Sequence, residues 1–410
     1  VNTAIGMLRL NTPFVIIQTL ERKALPTYNE VSEATLEKEI FTPIFSDSTH
    51  FPKQNVLIIL LESFGAEYVG FMNKGKGYTP FLDSLAQKGQ FFRHAYANGR
   101  TSVEGYPSVM VDIPSLMIEP LPFSPYISNH FFETGNYLKS KGYDAAYYHG
   151  GQNGTMWFDK MSAKFGFDYY GLNEYGNKKD FDGAWGIWDE LYFQYLANQL
   201  DKKQKPFVNC VFSLSSHEPF LLPQKYIGKF PEGKLPVHKT VGYTDNSLRL
   251  FFETAKKQAW YANTLFIITA DHTSQSVEPE YQTQLGKFHV PMLLFHPNGK
   301  YPQINPEKIV QHCDIMPSIF DYLDLESNQF PAFGESFFRK GEGKATCFDN
   351  GKWYYATPKN YVELIDNEVV IKNYKDEIQA KTLQDSAAIL KAKCYRQYFN
   401  ERMEKNTFIK

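Results

Sequence analysis

The chain has 410 residues, 43% hydrophobic and 21% charged, with 43 Lys and Arg against 45 Asp and Glu for a net charge of -2. That length supports a large core, the composition excludes a disordered or fibrous chain, and the balanced charge excludes nucleic acid as the main partner. Cys210, Cys313, Cys347 and Cys394 are widely spaced, with no C-x-x-C pair and no Cys/His cluster, which excludes a structural zinc site, and no uninterrupted apolar run approaches a bilayer-spanning length.

Residues 1–50 read as a helical lead-in and linker, with an amphipathic stretch over 31–39. An α/β domain is expected over 51–340. Its first strand is Val56-Leu-Ile-Ile-Leu-Leu61, a continuous apolar run of the kind buried on both faces, and it ends on Glu62 and Ser63. Thr79 to Gly89 has Thr in the N-cap position, Pro80 at the first helical position and a terminating Gly, so a helix is expected there and a strand over 90–96. The small residues of Asn98-Gly-Arg-Thr-Ser-Val-Glu-Gly105 then predict a strand-to-helix turn.

The cycle repeats with a helix over 136–142, stopped by Gly142, and a strand over 143–149 that ends on His149. Further strands are expected at 207–214, 264–270 and 290–295, and the second of these is another apolar run, ending on Asp271 and His272. This alternation predicts an α/β fold, a mostly parallel central sheet sandwiched by helices. After Lys352 the pattern changes to short strands at 353–357, 361–365 and 368–372, then a helix over 382–400, so residues 341–410 read as a small antiparallel β plus helix subdomain.

Parallel sheets place their sites at the carboxyl ends of strands. Two buried strands deliver Glu62 and the Asp271-His272 pair to such an edge, and two carboxylates with an imidazole suit Mn2+, Zn2+ or Mg2+ while leaving positions open. Thr101 is the candidate nucleophile of the turn: an unaided Thr hydroxyl attacks poorly, but a neighbouring divalent ion lowers its pKa toward the working range. The helix N-terminus that follows suits a phosphate oxygen. Each residue alone has a plainer reading, Asp271 as a cap and Thr101 as an N-cap, and Ser102 is the rival hydroxyl one position on.

The ordered set of Glu62-Ser63, Thr79-Pro-Phe-Leu82, Arg100-Thr101-Ser102, Ser216-His217-Glu-Pro-Phe220, Ala270-Asp271-His272 and Asp314-Ile-Met-Pro-Ser318 resembles the extracellular catalytic domain of lipoteichoic acid synthases. These belong to the alkaline phosphatase and sulfatase superfamily. The resemblance covers residues 55–340 and implies a Mn2+ held by Glu62, Thr101, Asp271 and His272, with Thr101 as nucleophile. It also implies that His149 and His217 contact the substrate phosphate or leaving group, with His217 the better placed of the two for proton transfer.

The implied reaction has two steps. A phosphoglycerol headgroup passes from a lipid donor to Thr101, releasing diacylglycerol, and an acceptor hydroxyl then displaces the enzyme. The implied partners are a phospholipid headgroup donor, a hydroxyl acceptor and the membrane surface, on the extracytoplasmic face of the cell membrane. Transmembrane helices on the N-terminal side are expected from the same resemblance.

One departure bears on the headgroup. The family carries a Trp followed closely by an Arg that holds the glycerol phosphate, whereas this chain has Met156-Trp157-Phe158-Asp159-Lys160. Trp157 matches and the Arg does not, leaving Lys160 or Arg100 as the substitute cation. The rival readings are a phosphodiesterase that uses water, a phosphoethanolamine transferase and a non-catalytic binding protein. A sulfatase of the usual kind is disfavoured, because Thr101 is followed by Ser-Val-Glu-Gly105 rather than by the C-x-P-x-R pattern.

Overall fold

A computed structural model of the chain describes residues 24–40, 49–326, 333–383 and 385–409, so residues 1–23 and 41–48 of the expected lead-in lie outside the described residues. The first eight strands are β1 (Asn55–Leu61), β2 (Gln90–Phe92), β3 (His94–Tyr96), β4 (Asp144–His149), β5 (Asp168–Tyr170), β6 (Phe207–Phe212), β7 (Thr264–Ala270) and β8 (Met292–Phe295). All but β3 form one sheet in the order β2-β8-β7-β1-β6-β4-β5. The two continuous apolar runs, β1 and β7, are buried at every position and lie side by side at its centre. Such strands pack on both faces, which is why they show no alternation.

The sheet is mostly parallel, as expected: β1 runs parallel to both β6 and β7, and β4 to both β6 and β5. Only β8 runs against its neighbours β7 and β2. The carboxyl ends of β4, β6, β1 and β7 therefore share one edge.

Two local expectations are corrected. The single strand expected over 90–96 breaks at Arg93, whose N–H donates to the Pro306 carbonyl at 2.9 Å and whose exposed side chain pairs with Glu307 at 3.0 Å. Beyond the break, β3 leaves the main sheet and pairs with β9 (Ile309–Gln311). The helix expected from Thr79 forms over Pro80–Ala86, but the Thr79 side chain does not cap it. Asp245, from the Val237–Ala255 helix, does so by accepting the N–H groups of Phe81 at 2.8 Å and Leu82 at 2.9 Å. A carboxylate satisfies two helix-start donors where a hydroxyl satisfies one.

The C-terminal region forms a separate antiparallel sheet of β10 (Ala345–Asp349), β11 (Lys352–Ala356), β12 (Tyr361–Ile365), β13 (Glu368–Lys372) and β14 (Ile378–Gln379). The last helix runs over Asp385–Lys405 and packs on the Glu33–Ile40 helix. Buried Arg396 forks Glu30 at 3.0 and 2.7 Å, and Gln397 accepts the N–H groups of Glu30 and Val31 at 2.7 and 3.0 Å. Buried Asn98 donates to the Thr346 carbonyl of β10 and to Gln311, each at 2.8 Å, and accepts the Cys313 N–H at 3.0 Å. The small sheet thereby buttresses the turn that carries Thr101. All four cysteines are buried and unpaired, and no helix among the described residues is long and apolar enough to cross a membrane.

Candidate active site

The register of β1 against β7 pairs Leu61 with Ala270, so Glu62 and Asp271 leave the sheet side by side. Each is fixed by its neighbours. The Glu62 N–H donates to Ser213 Oγ at 2.9 Å and the Glu62 carbonyl accepts from Ser216 Oγ at 2.7 Å, so the loop leaving β6 clamps this backbone from two directions. Asp271 Oδ1 accepts the N–H groups of Ser63 and His272, both at 2.8 Å. Its Oδ2 is buried and accepts no hydrogen bond, although His272 Nε2 lies 3.2 Å away out of alignment. His272 Nδ1–H donates to the Thr273 carbonyl at 2.6 Å, which leaves the lone pair on Nε2.

One ligand atom from each of Glu62, Asp271 and His272 lies within 4.8 Å of the others. Burial pushes the Asp271 carboxyl up to about 7, and the nearby Glu62 charge adds to the shift. For His272, burial works against the cation, but the Asp271 and Glu62 carboxylates outweigh it and the net shift is upward. Two buried carboxylates around an imidazole lone pair, one of them with an oxygen that has no donor, fit a divalent cation.

The turn beside this cluster holds two hydroxyls in different states. Thr101 is the N-cap of the Ser102–Val111 helix in a capping box with Glu104. Glu104 Oε2 accepts from Arg100 N at 2.8 Å, Thr101 N at 3.0 Å and Thr101 Oγ1 at 2.9 Å. The Thr101 hydroxyl, expected among the ligands, is thus held by Glu104. Ser102 Oγ instead reaches the cluster, 3.1 Å from Glu62 Oε2 and 3.3 Å from His272 Nε2. Gly105 lets the helix lie this close, because a Cβ there would sit 3.1 Å from the Asp271 carbonyl oxygen. Arg100 packs its guanidinium over Phe288 at 5.4 Å, and its charge opposes protonation of His272. Arg100 Nε is buried without a hydrogen-bond partner.

The remaining expected site residues stand at the same edge but bond elsewhere. His149 ends β4, shares a hydrogen bond between Nδ1 and the Tyr169 hydroxyl at 2.9 Å, and stacks on Phe212 at 5.5 Å. Burial lowers its pKa to about 3, so the ring is neutral. His217 lies on the loop leaving β6, donates through Nδ1 to the Glu218 carbonyl at 2.9 Å and packs on Trp185 at 4.1 Å. Trp157 is exposed, with Lys160 Nζ 4.4 Å from its ring centre and Phe123 at 6.0 Å.

Sequence reasoning missed the residues that hold this frame. Asp189 accepts Leu214 N at 2.8 Å, Ser215 N at 3.2 Å and Thr244 Oγ1 at 2.6 Å, and so fixes the segment leading to His217. Ser213 is a further one, and Glu104 and Ser216 entered only as members of quoted motifs, with no role assigned. The T-x-x-E spacing was a legible signal for Glu104, whereas Asp189 gave none.

The sulfatase family model matches residues 54–325. The chain is 27% identical over 390 residues to the lipoteichoic acid synthase of Staphylococcus aureus, a match that covers 86% of this chain and 59% of that protein. It therefore spans about three fifths of the relative's length. Among solved structures, an alkaline phosphatase superfamily protein from Vibrio parahaemolyticus superposes with a TM-score of 0.77 at 23% identity, covering 94% of this chain and 99% of that one. The lipoteichoic acid synthase LtaP from Listeria monocytogenes gives 0.78 at 16% identity, covering 92% and 99%. At these identities the two superpositions carry the fold.

Proposed function

The chain belongs to the sulfatase family, and from that premise we propose that it is a metal-dependent transferase. It moves a phosphoglycerol-type headgroup from a lipid donor to a hydroxyl acceptor through a covalent intermediate on Thr101, at the extracytoplasmic face of the cell membrane. The observation that carries this reading is the convergence of Glu62, Asp271 and His272 on one point beside the hydroxyls of a helix N-terminus.

A divalent cation held by Glu62, Asp271 and His272, Mn2+ by resemblance and Zn2+ or Mg2+ by donor type, supplies positive charge that acidifies the attacking hydroxyl and offsets charge on the phosphoryl oxygens. The chain's own groups do the rest. Thr101 Oγ1 gives its proton to Glu104 Oε2 and attacks phosphorus, the bond from phosphorus to the diacylglycerol oxygen breaks, and His217 Nε2 donates the proton that the departing alkoxide takes up. In the second step His217 takes a proton from the acceptor hydroxyl as that oxygen displaces Thr101, and Glu104 returns its proton to Thr101 Oγ1. Arg100 and the helix N-terminus hold phosphate oxygens, His149 packs behind them as a neutral donor, and Trp157 with Lys160 faces the glycerol.

Two alternatives rest on specific observations. Ser102 is the nucleophile in a second reading, favoured by its contacts with Glu62 and His272. A phosphodiesterase differs only in using water as acceptor, and the cluster serves it equally. The test is intact-mass spectrometry of the wild type, Thr101→Ala and Ser102→Ala, each incubated with Mn2+ and separately with phosphatidylglycerol, phosphatidylethanolamine and an aryl sulfate. A phosphoglycerol adduct lost only in Thr101→Ala is expected. An adduct lost only in Ser102→Ala reassigns the nucleophile, and water-dependent product without any adduct replaces the transferase with a hydrolase.

A further inference from the structure

Water-soluble proteins scatter exposed apolar side chains singly, and a group of large ones beside a cleft calls for an explanation. Among the described residues of the α/β domain, the large apolar side chains left exposed are Ile118, Phe123, Trp157, Leu221 and Ile227. Trp157 lies beyond the carboxyl end of β4, and Leu221 and Ile227 lie beyond that of β6. These strands are neighbours and run parallel to β1, and the loop after β6 is held beside that edge by Trp185, which packs on His217 and donates to the Glu218 carbonyl at 2.6 Å, and by Lys225, which bonds Glu190 at the start of the Asp189–Asp201 helix at 2.9 Å. Phe123 meets Trp157 edge-on at 6.0 Å and brings the stretch that contains Ile118 to the same side.

The chemistry of the group favours a bilayer. Lys160 lies 4.4 Å from the centre of the Trp157 ring, so a cation stands directly beside the apolar group. An apolar body with a charged or amphipathic rim is the arrangement that settles at a lipid–water interface, where aromatic rings sit at headgroup level and lysines reach the phosphates. The lipid-donor reading, on which this inference rests, adds a physical need. Drawing a diacyl lipid out of the membrane exposes every CH2 of its chains to water, so the donor must be met where it lies.

We propose that Ile118, Phe123, Trp157, Leu221 and Ile227 form a bilayer-docking rim that seats the sheet edge carrying Glu62 and Thr101 on an anionic lipid surface. Donor headgroups then reach Thr101 while their acyl chains stay in the membrane.

The test uses the full 410-residue chain as wild type, as Ile118→Ser and Ile227→Ser singly, and as the triple variant with Leu221→Ser. Ile118 is 82% exposed and Ile227 60%, so their replacement leaves the core intact. Two readouts are taken: flotation with vesicles of equal parts phosphatidylcholine and phosphatidylglycerol, and turnover of a short-chain, water-soluble phosphatidylglycerol. The expected result is a fall in vesicle affinity of about tenfold or more for the triple variant, smaller falls for the single variants, and unchanged turnover of the soluble donor.

Vesicle binding by the triple variant equal to the wild type overturns the rim and assigns the patch to a protein or glycan partner. If the variants lose vesicle binding while even the wild type turns over neither form of the donor, the rim stands and the headgroup reading fails.

Discussion

The two sides of the candidate site are held by different means. On the ligand side, Glu62, Asp271 and His272 follow directly from the ends of β1 and β7, and Ser63, Ser213 and Ser216 fix their backbone or side-chain atoms. On the transfer side, Thr101 depends on one carboxylate, Glu104, while His217 and Trp157 ride on loops and pack on neighbouring rings. Sheet ends hold atoms in place without reorganisation, which suits a cation site. In the proposed reaction the transfer side hands a phosphoryl group to and from a hydroxyl, and a hydroxyl held by one replaceable hydrogen bond is able to move. The difference separates a preorganised half from an adjustable one.

Thr101→Ala breaks the adjustable half at its centre. Turnover is expected to fall roughly a thousandfold or more, as for removal of other covalent nucleophiles, with metal affinity retained, measured by kinetics beside titration calorimetry with Mn2+. Ser102→Ala is expected to lose only about tenfold, within the range of a single lost hydrogen bond near a reacting centre; the reverse order would exchange the roles of the two hydroxyls. Asp271→Asn attacks the preorganised half. Metal affinity is expected to drop about a hundredfold with the loss of one charged ligand, while the metal-free protein melts at a higher temperature because one of two neighbouring buried charges is gone.

His217→Gln sharpens the contrast by sparing the ligand side, with turnover falling about thirtyfold, inside the usual range for a general acid or base. Calorimetry should find metal affinity unchanged, and a parallel loss of both would move His217 into the ligand frame. The smallest effect is expected at Asp189. Burial raises its carboxyl from the ordinary 3.8 to about 6, against the hydrogen bonds from Thr244, Leu214 and Ser215 that favour the anion. The folded chain therefore binds a proton that the unfolded chain releases between about pH 4 and 6, and this contribution to stability falls as pH rises through that window. Asp189→Asn should cost about 1–2 kcal/mol through lost acceptors, and its deficit against the wild type should narrow as pH rises from about 4 to 6. A deficit that stays constant in denaturant titrations would show that Asp189 does not titrate there.

The same division governs what the sequence disclosed. β1 and β7 were legible because fully buried strands leave unbroken apolar runs, and the polar residue that ends each run marks the edge of the sheet. β12 and β13 fell at the expected bounds, since short β-rich runs separated by a tight turn have few other solutions. The break at Arg93 was not legible, because what ends β2 is a change of partner strand from β8 to β9, and partners across some 200 residues leave no local trace. β10 and β14 are edge strands of the small sheet, where pairing on one side weakens the pattern. In the site, ligands at strand ends could be read, while the orientation of Thr101 toward Glu104 depends on which of two local hydrogen bonds wins.

The bond between Glu30 and Arg396 joins positions 366 apart in the chain. Glu30 therefore acquires its partner only once a helix 366 positions further along has been made. Closing so long a loop is slow and yields nothing until the final helix is in place. The sheet that carries Glu62, Asp271 and His272 is complete with β8 and requires no residue of that helix, so assembly has a natural order: the Glu62, Asp271 and His272 cluster first, and the seal between Glu30 and Arg396 after it.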